Sequence, residues 1–156
     1  MSIEKVKEYL KQYNKDNDVI VLLESTATVD LAAKALNVIQ TRIAKTLSFK
    51  LDDQYILVVT AGDTKIDNKK YKQYFGIKAK MLSPEEVMNK IGHKIGGVCP
   101  FAVNKNVKVY CDISLQRFSS VFPACGSANS AIELSCDQLF SISKAVDWID
   151  ICKFSE

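Results

Sequence analysis

The chain is organised around Gly92-His93-Lys94-Ile95-Gly96-Gly97-Val98-Cys99-Pro100-Phe101. This segment holds three of the six glycines, one of the three prolines and the single histidine of the chain. Glycine permits backbone conformations and close approaches that a Cβ would prevent, while proline fixes φ and removes an N–H donor. The composition predicts a shaped loop, which either presents its backbone amides to a small ligand or makes a tight connection between two elements.

The whole-chain composition is that of an ordinary globular protein. The 156 residues are 47% hydrophobic and 25% charged, and a chain of this length can bury a substantial core. We therefore expect one domain spanning residues 1–156. No apolar run approaches the roughly 20 residues of a membrane span, and the N-terminal residues lack the apolar stretch of a signal peptide, so we expect a cytoplasmic location.

Cysteine usage and charge bound the function further. The five cysteines include no C-x-x-C pair, so the sequence predicts neither a zinc site nor a disulfide framework, and reduced thiols are expected. A net charge of +3 suits a protein that touches a few phosphates, and equally one that touches none. Six lysines form a basic region that either follows nucleic-acid phosphates or is a solvated helix face: Lys65, Lys69, Lys70, Lys72, Lys78 and Lys80.

Hydrophobic periodicity and turn signals predict about seven strands and about five helices. Strands are predicted at residues 18–23, 39–49, 55–60, 78–82, 107–112 and 131–134, and residues 146–151 are predicted to be a final strand or a helix end. Helices are predicted at residues 3–13, after the N-cap hydroxyls of Ser25-Thr26-Ala27-Thr28, at residues 67–75, at residues 84–91 and after Ser135. Because hairpins join several neighbouring strands, the pattern indicates a mixed sheet with helices packed on it.

Lys45 lies in a predicted strand, on a face whose other members are largely apolar. The alternation of strand side chains puts it between Ile43 and Leu47 on that face. A lysine in these surroundings either extends its amine to the edge of the sheet or meets an anion or a carbonyl group in a pocket. The sequence supports both interpretations equally.

Six motifs run through the chain in a distinctive order and spacing. They are Thr28-Val29-x-x-Ala32-Ala33-x-x-Leu36, Ile43-Ala44-Lys45-Thr46-Leu47-x-Phe49, Val58-Val59-x-Ala61-Gly62-Asp63, Gly96-Gly97-Val98-Cys99-Pro100-Phe101, Val109-Tyr110-Cys111-Asp112-x-Ser114-Leu115 and Gly126-Ser127-x-Asn129. Each motif alone is weak, but the six in register, over residues 18–150, resemble the YbaK/ProX family. Members of that family are similar to the editing domain inserted in bacterial prolyl-tRNA synthetases.

The resemblance implies both a fold and an activity. The fold is α/β, of the α+β kind, with one domain whose strongly curved, barrel-like mixed β-sheet is surrounded by helices. The activity is hydrolysis of the ester of a mischarged tRNA, which carries cysteine on a proline tRNA or another small amino acid such as alanine. The implied partner is the 3′ end of aminoacyl-tRNA, docking to prolyl-tRNA synthetase is left open, and no metal or organic cofactor is implied.

Two other functions remain as alternatives. A binding module of the same fold would recognise a tRNA end, an aminoacyl ester or a nucleotide without turnover. A thiol-redox protein would use some of the five cysteines. Turnover of a mischarged tRNA distinguishes the deacylase from the first alternative, and alkylation of the native protein addresses the second.

The site residues follow from the resemblance together with the chemistry of an activated ester. The resemblance assigns Lys45 to the carbonyl oxygen or a nearby phosphate, and its G-x-x-x-P element corresponds to Gly96 through Pro100. Backbone amides of this loop can stabilise a developing oxyanion. The predicted catalytic residues are Lys45, Gly96, Gly97, Val98, Cys99 and Pro100. The predicted substrate-binding residues are Thr28, Thr46, Phe101, Gly126, Ser127 and Asn129, with the helix start at residues 26–29 at the mouth of the pocket.

No dedicated general base emerges from the sequence. A Cys99 nucleophile would have to meet His93 in space with its thiolate activated, and six residues of separation on a bending loop do not ensure this. We expect His93 at the surface beside the glycine turn, and the other cysteines as small core residues. The resemblance implies that the reaction uses a group of the substrate, either a cysteinyl thiol or a ribose hydroxyl.

One departure from the family pattern bears on specificity. Ala131 precedes Ile132-Glu133-Leu134, at the position where cysteine-specific relatives tend to carry an aspartate. The departure leaves alanine, serine or another residue open as the amino acid removed.

Overall fold

The structure, a computed structural model, describes residues 2–155. Its strands are β1 (Ile20–Val21), β2 (Ile43–Leu51), β3 (Gln54–Ala61), β4 (Thr64–Ile66), β5 (Lys108–Asp112), β6 (Ser120–Pro123), β7 (Ser130–Ala131), β8 (Leu134–Ser135), β9 (Trp148–Ile149) and β10 (Cys152–Phe154). Its helices are α1 (Ser2–Lys11), α2 (Val29–Leu36), α3 (Asn68–Phe75), α4 (Pro84–Glu86) and α5 (Cys136–Ile142), and a π-helical turn at Val87–Ile91 continues α4.

Six of the strands form one mixed, curled sheet in the order β8-β6-β2-β3-β5-β9. The pairs β2–β3 and β6–β8 are antiparallel, whereas β2–β6, β3–β5 and β5–β9 are parallel. The strands β1–β7 and β4–β10 make two separate two-stranded ribbons. This architecture confirms the predicted α/β fold with a curved mixed sheet.

The central hairpin, β2–β3, was predictable from its turn, but β2 begins later than the sequence pattern indicates. Asp52 takes the left-handed conformation of the turn, with φ 54°. The predicted strand started at Ile39, whereas residues 40–42 form a 3-10 turn and β2 starts at Ile43. A Cβ added to Gly62 would lie 2.1 Å from the Gln40 carbonyl oxygen, so a glycine is needed where this turn meets the end of the hairpin.

Side chains from the two faces of β3 enter different parts of the core, because neighbouring strand residues point in opposite directions. Leu57 and Val59 join the cluster that contains α1 and the buried end of the glycine loop. Ile56 and Val58 join the cluster that contains Tyr71 of α3. The glycine loop, defined here as residues 92–101, is therefore anchored by core packing at its C-terminal end.

The helix boundaries confirm the predicted capping signals. Thr28 caps α2 by accepting a hydrogen bond from the Leu31 amide, and Asn37 ends that helix with φ 56°. Asp67 caps α3, and Gly76 ends it in the left-handed conformation with φ 83°. Asp67 accepts from two backbone amides, so this cap satisfies donors that the first helical turn leaves open.

The strand predicted at residues 18–23 is wrong in extent. Only β1, residues 20 and 21, pairs with another strand. Val21 is 55% exposed and Leu23 is fully exposed, whereas Val19, Ile20 and Leu22 are half-buried. The segment as a whole is therefore half-buried, but it has only a two-residue strand partner, β7.

One edge of β2 carries a gap. At one end, β6 pairs with Ile43 and Ala44. At the other end, the Leu82 amide donates to the Ser48 carbonyl (3.3 Å), and the Lys50 amide donates to the Lys80 carbonyl (2.9 Å). Within residues 2–155, no strand pairs with this edge between Ala44 and Ser48. The sheet opens at this gap and forms a cavity there.

Candidate active site

A cavity of about 260 Å³ lies at the gap in the sheet edge. One wall is β2 from Lys45 to Ser48, and a second is the segment from Thr26 to Val29. Ala32 of α2, Ile43 and Ala44 of β2, and Met81 and Leu82 also line it, and the glycine loop and the ends of β6 and β7 complete it. From these the lining residues are Ile95, Gly96, Val98, Phe122, Ala124, Ser130 and Ala131. The structure thus brings Lys45 and part of the glycine loop to one cavity.

Lys45 is half-buried in this wall. Its amine donates a hydrogen bond to the Thr64 carbonyl. Burial lowers the pKa of Lys45, and the neighbouring Cys152 and Asp63 oppose that shift. Asp63 is itself engaged by Arg117, whose Nη1 and Nη2 lie 3.0 and 2.6 Å from the two carboxylate oxygens.

This arrangement leaves the Lys45 amine without a carboxylate partner among the described residues. The bidentate pair with Arg117 takes up the Asp63 carboxylate, and a carbonyl oxygen does not neutralise an ammonium charge. A partly desolvated cation with one carbonyl partner can bind a carbonyl oxygen or a phosphate of a ligand strongly, because few waters compete.

Two threonine hydroxyls in the cavity wall lack hydrogen-bond partners. Thr46 and Thr26 both line the cavity, and within residues 2–155 neither buried Oγ1 atom has a partner. Buried hydroxyls are costly when unpaired, so both favour a polar ligand over an apolar one. The hydroxyl run at residues 25–28 signals a cap, and Thr28 alone fills that role. The Thr26 hydroxyl is therefore not needed for the cap, and it is the sequence feature that could have indicated a ligand contact in this segment.

The glycine loop contributes fewer amides to the cavity than the sequence predicts. Gly96 and Val98 line it, with Gly96 in a left-handed conformation at φ 92°. The Gly97 amide is used within the loop, because it donates to the Lys94 carbonyl at 3.0 Å. A Cβ on Gly97 would lie 2.8 Å from the carbonyl carbon of Gly126, so this glycine serves close packing.

The last three residues of the loop lie behind the cavity wall. Cys99, Pro100 and Phe101 are buried and are not among the lining residues. The Phe101 ring packs in the core, 6.5 Å from the ring of Tyr9. The substrate contact predicted for Phe101 therefore has no surface at which to occur, and Cys99 and Pro100 support the wall from inside.

The prediction that His93 lies at the surface is wrong, because its ring is fully buried. Its Nε2 lies 2.7 Å from the Phe101 carbonyl oxygen and 3.6 Å from the Cys99 sulfur. Burial lowers the pKa of His93 and raises the pKa of Cys99 to about 12. The two side chains do meet, but as a neutral imidazole and a protonated thiol, which excludes the activated thiolate that a cysteine nucleophile requires.

The loop at residues 126–129 supports the walls from outside the cavity. Gly126 and Ser127 face a separate cavity of about 410 Å³. The Asn129 side-chain amide donates to the Leu22 carbonyl at 2.9 Å, and the Leu22 amide donates to the Asn129 carbonyl at 2.8 Å. These contacts make Asn129 a clamp on the segment that carries Thr26. Of the predicted substrate-binding residues, Thr28 and Thr46 line the main cavity.

Neither a metal cluster nor a membrane-spanning helix is found in the part of the chain that the structure describes. No group of three His, Cys, Asp or Glu side chains there is placed to hold a metal ion. No helix there is both long enough and apolar enough to cross a bilayer.

Comparisons with known proteins identify the family and the fold of the chain. Residues 24–142 match the profile of the aminoacyl-tRNA editing domain. An uncharacterized protein of Bacillus subtilis, YwhH, is 54% identical over 154 residues, 98% of each chain. Proline–tRNA ligase of Bacillus cytotoxicus is 24% identical over 145 residues, which span 86% of this chain but 25% of the ligase. A crystal structure assigned as a candidate trans-editing enzyme for prolyl tRNA synthetase superposes with a TM-score of 0.88 at 26% identity, covering 97% of both chains.

Proposed function

The chain belongs to the aminoacyl-tRNA editing domain family, and on that premise we propose that it is a deacylase that acts in trans on mischarged tRNA. The reaction is hydrolysis of the aminoacyl ester. A water oxygen bonds to the acyl carbon, the bond from that carbon to the ribose oxygen breaks, and the ribose hydroxyl leaves with a proton. The proposal rests on one observation, which is that Lys45, Gly96 and Val98 line the same cavity.

The proposed chemistry is positioning and electrostatic stabilisation. Attack on the acyl carbon moves negative charge onto the carbonyl oxygen, and fixed donors aimed at that oxygen lower the barrier. Lys45 supplies the cation, and the amides of Gly96 and Val98 are the nearest main-chain donors of the glycine loop. Because Gly97 donates to Lys94 within the loop, we assign it a supporting role.

In the part of the chain that the structure describes, no carboxylate, imidazole or thiol that could act as a general base lines the cavity. We therefore propose that the proton of the attacking water passes to a group on the substrate, such as the neighbouring ribose hydroxyl, in agreement with what the family resemblance implies. A binding module without turnover would have the same wall composition, and the deacylation screen distinguishes it from an enzyme.

The substrate we propose is a small amino acid on a proline tRNA, with cysteine and alanine as the first choices and serine open. A cavity of about 260 Å³ must hold the aminoacyl group and the edge of the terminal ribose, which leaves little room for a long side chain. Recognition of the remaining tRNA, and docking to prolyl-tRNA synthetase, stay predictions. In the basic region that could contact tRNA phosphates, the Lys70 amine is already paired with the Asp150 carboxylate, with 3.0 Å between Nζ and Oδ1.

The decisive experiment is a deacylation screen over cysteinyl-, alanyl-, seryl- and threonyl-tRNA, with Lys45→Ala and a matched control. Lys50→Ala is the control, because Lys50 lies on the same strand but does not line the cavity. We expect Lys45→Ala to lower kcat by about 100-fold or more, as loss of an oxyanion donor does, with the unfolding midpoint close to wild type. Binding of the tRNAs without turnover of any of them would favour the binding module, and full activity in Lys45→Ala would reject the role of Lys45.

A further inference from the structure

The gap in the edge of β2 exposes main-chain groups as well as side chains. On this edge, the carbonyl of Ser48 and the amide of Lys50 are used by Leu82 and Lys80. Main-chain groups of a strand residue point to the same edge as those of the residue two positions away. Thr46 therefore directs its amide N–H and its carbonyl into the gap, where β6 no longer pairs and the segment at residues 80–82 does not yet pair.

The gap has the dimensions of a short missing strand. Ala44 and Ser48, the last residues paired on either side, are four positions apart, which corresponds to about 13 Å of strand. The cavity occupies this interval, because Ala44, Thr46, Ser48 and Leu82 all line it. The partnerless Oγ1 of Thr46 lies at the same place, so this residue has unused hydrogen-bonding capacity in both its main chain and its side chain.

An aminoacyl ester carries the groups that such a gap lacks. Its α-ammonium is a donor and its ester carbonyl is an acceptor, spaced as in a residue of a β-strand. Two residues in a hydrogen-bonded antiparallel pair exchange both of their main-chain bonds. Resting on the deacylase function, we propose that the aminoacyl group docks as a one-residue strand on Thr46, with its α-ammonium donating to the Thr46 carbonyl and its ester carbonyl accepting from the Thr46 amide.

This docking makes the free α-amino group a requirement for recognition. An N-acylated amino acid keeps one N–H, but its acyl carbonyl and methyl group need space beside the Thr46 carbonyl. In an antiparallel pairing that space lies toward Ser48, where the Leu82 amide already donates to the Ser48 carbonyl and both residues line the cavity. N-blocked aminoacyl esters, including peptidyl esters, are therefore the class of substrate that the site rejects, whatever the amino-acid side chain.

The first test compares free and N-acetylated esters of the same amino acid on the same tRNA. Using the amino acid that is hydrolysed fastest in the deacylation screen, we expect acetylation to lower kcat/KM by at least 100-fold. Equal hydrolysis of both esters would overturn the inference and leave the deacylase function standing. If the screen itself finds no ester that is hydrolysed, the deacylase function is overturned, and the inference that rests on it.

A binding measurement separates recognition from turnover. The probe is the non-hydrolysable 3′-alanylamino-3′-deoxyadenosine, compared by calorimetry with its N-acetyl derivative. We expect the free amine to bind at least tenfold more tightly. Equal affinities would overturn the proposed contact of the α-ammonium with the Thr46 carbonyl.

The second test removes the Thr46 amide itself. Replacing Thr46 by the corresponding α-hydroxy acid converts the N–H to an oxygen and keeps the side chain. We expect kcat/KM for the free ester to fall by at least tenfold. The matched control is the same replacement at Lys50, whose amide donates to the Lys80 carbonyl outside the cavity, and we expect it to lower stability with kcat/KM unchanged. Unchanged kcat/KM in the Thr46 replacement would overturn the assignment.

Discussion

Two clusters of reactive side chains lie beside or within the glycine loop, and their surroundings differ. Lys45 and Thr46 stand in the wall of a cavity, with an amine held by one carbonyl and a hydroxyl that has no partner. His93 and Cys99 are fully buried, and both contact the Phe101 carbonyl. The comparison shows that access, and not the reactivity of the residue type, separates the candidate site from the core.

The same physical cause acts in opposite ways at the two places. Burial removes water from the Lys45 ammonium, which lowers its pKa and strengthens any contact of the cation with a ligand oxygen. Burial raises the pKa of Cys99 to about 12, which keeps the thiol protonated. Desolvation thus favours function where a ligand can enter, and prevents it where none can.

The largest effect is expected from Gly97→Ala, because this change disturbs the loop that both clusters share. The new Cβ would lie 2.8 Å from main-chain atoms of Gly126 and Ser127, so the loop must shift. We expect the free energy of unfolding to fall by about 1–3 kcal/mol and kcat/KM to fall roughly 100-fold, as a misplacement near 1 Å does. Urea unfolding and deacylation assays measure the two effects.

Gly76→Ala is the control for that change. Gly76 has a positive φ, 83°, and Gly97 does not, but no atom lies within 4 Å of the ideal Cβ of Gly76. We expect it to cost about 1–2 kcal/mol from the left-handed conformation with kcat/KM unchanged. Equal losses of activity in the two variants would show that the fit between Gly97 and the loop at residues 126–127 does not position the site.

A smaller effect, visible in the pH dependence of stability, is expected from His93. Its folded-state pKa lies below the ordinary value of 6.5, so between these values the unfolded chain binds a proton that the folded chain does not. The contribution of His93 to the free energy of unfolding is fully present above pH 6.5. It decreases by about 1.4 kcal/mol per pH unit as the pH falls toward the folded-state pKa. Urea unfolding at several pH values should therefore show a shallower slope for His93→Gln than for wild type.

The same pH series tests whether the cluster of His93 and Cys99 is sealed from water, unlike the cluster of Lys45 and Thr46. The carboxylates of the chain contribute to the slope in both proteins, so the difference between the two slopes isolates the imidazole. Identical slopes would mean that the His93 ring is not desolvated in the folded protein, and the description of this cluster as sealed would be wrong.

The smallest effect on activity is expected from Cys99→Ala. The thiol does not line the cavity, so we expect kcat/KM to change less than about threefold, as for a group that makes no contact in the transition state. Unfolding should become easier by about 1 kcal/mol, because a buried sulfur is removed. A 100-fold loss of activity with the fold intact would favour the hypothesis that Cys99 is a nucleophile.

Much of the fold was predictable because its signals are local. The cap at Asp67, the glycine end of α3 and the capping box at Ser83 each involve residues within one helical turn, and each is found in the structure. The β2–β3 hairpin is equally local. The extent of β1 was not predictable, because the burial of an apolar run depends on which distant segments cover it.

The candidate site was predictable only in part, for a related reason. Lys45 is conspicuous in sequence because a charged residue interrupts an apolar strand face. The burial of His93 gives no such signal, since its neighbours Gly92 and Lys94 suggest a surface turn. The backbone role of Thr46 is invisible in sequence, because it depends on where β6 stops pairing with β2.

The parallel pairing of β2 with β6 also determines when the cavity can exist. Ala44 pairs with Pro123, and the Thr26 amide donates to the Ala128 carbonyl, so the walls join segments that are far apart along the chain. Contacts of such long sequence separation form late. During synthesis on the ribosome, the first half of the protein would therefore carry β2 with an open edge, and the candidate pocket would assemble only after residues 122–131 have emerged.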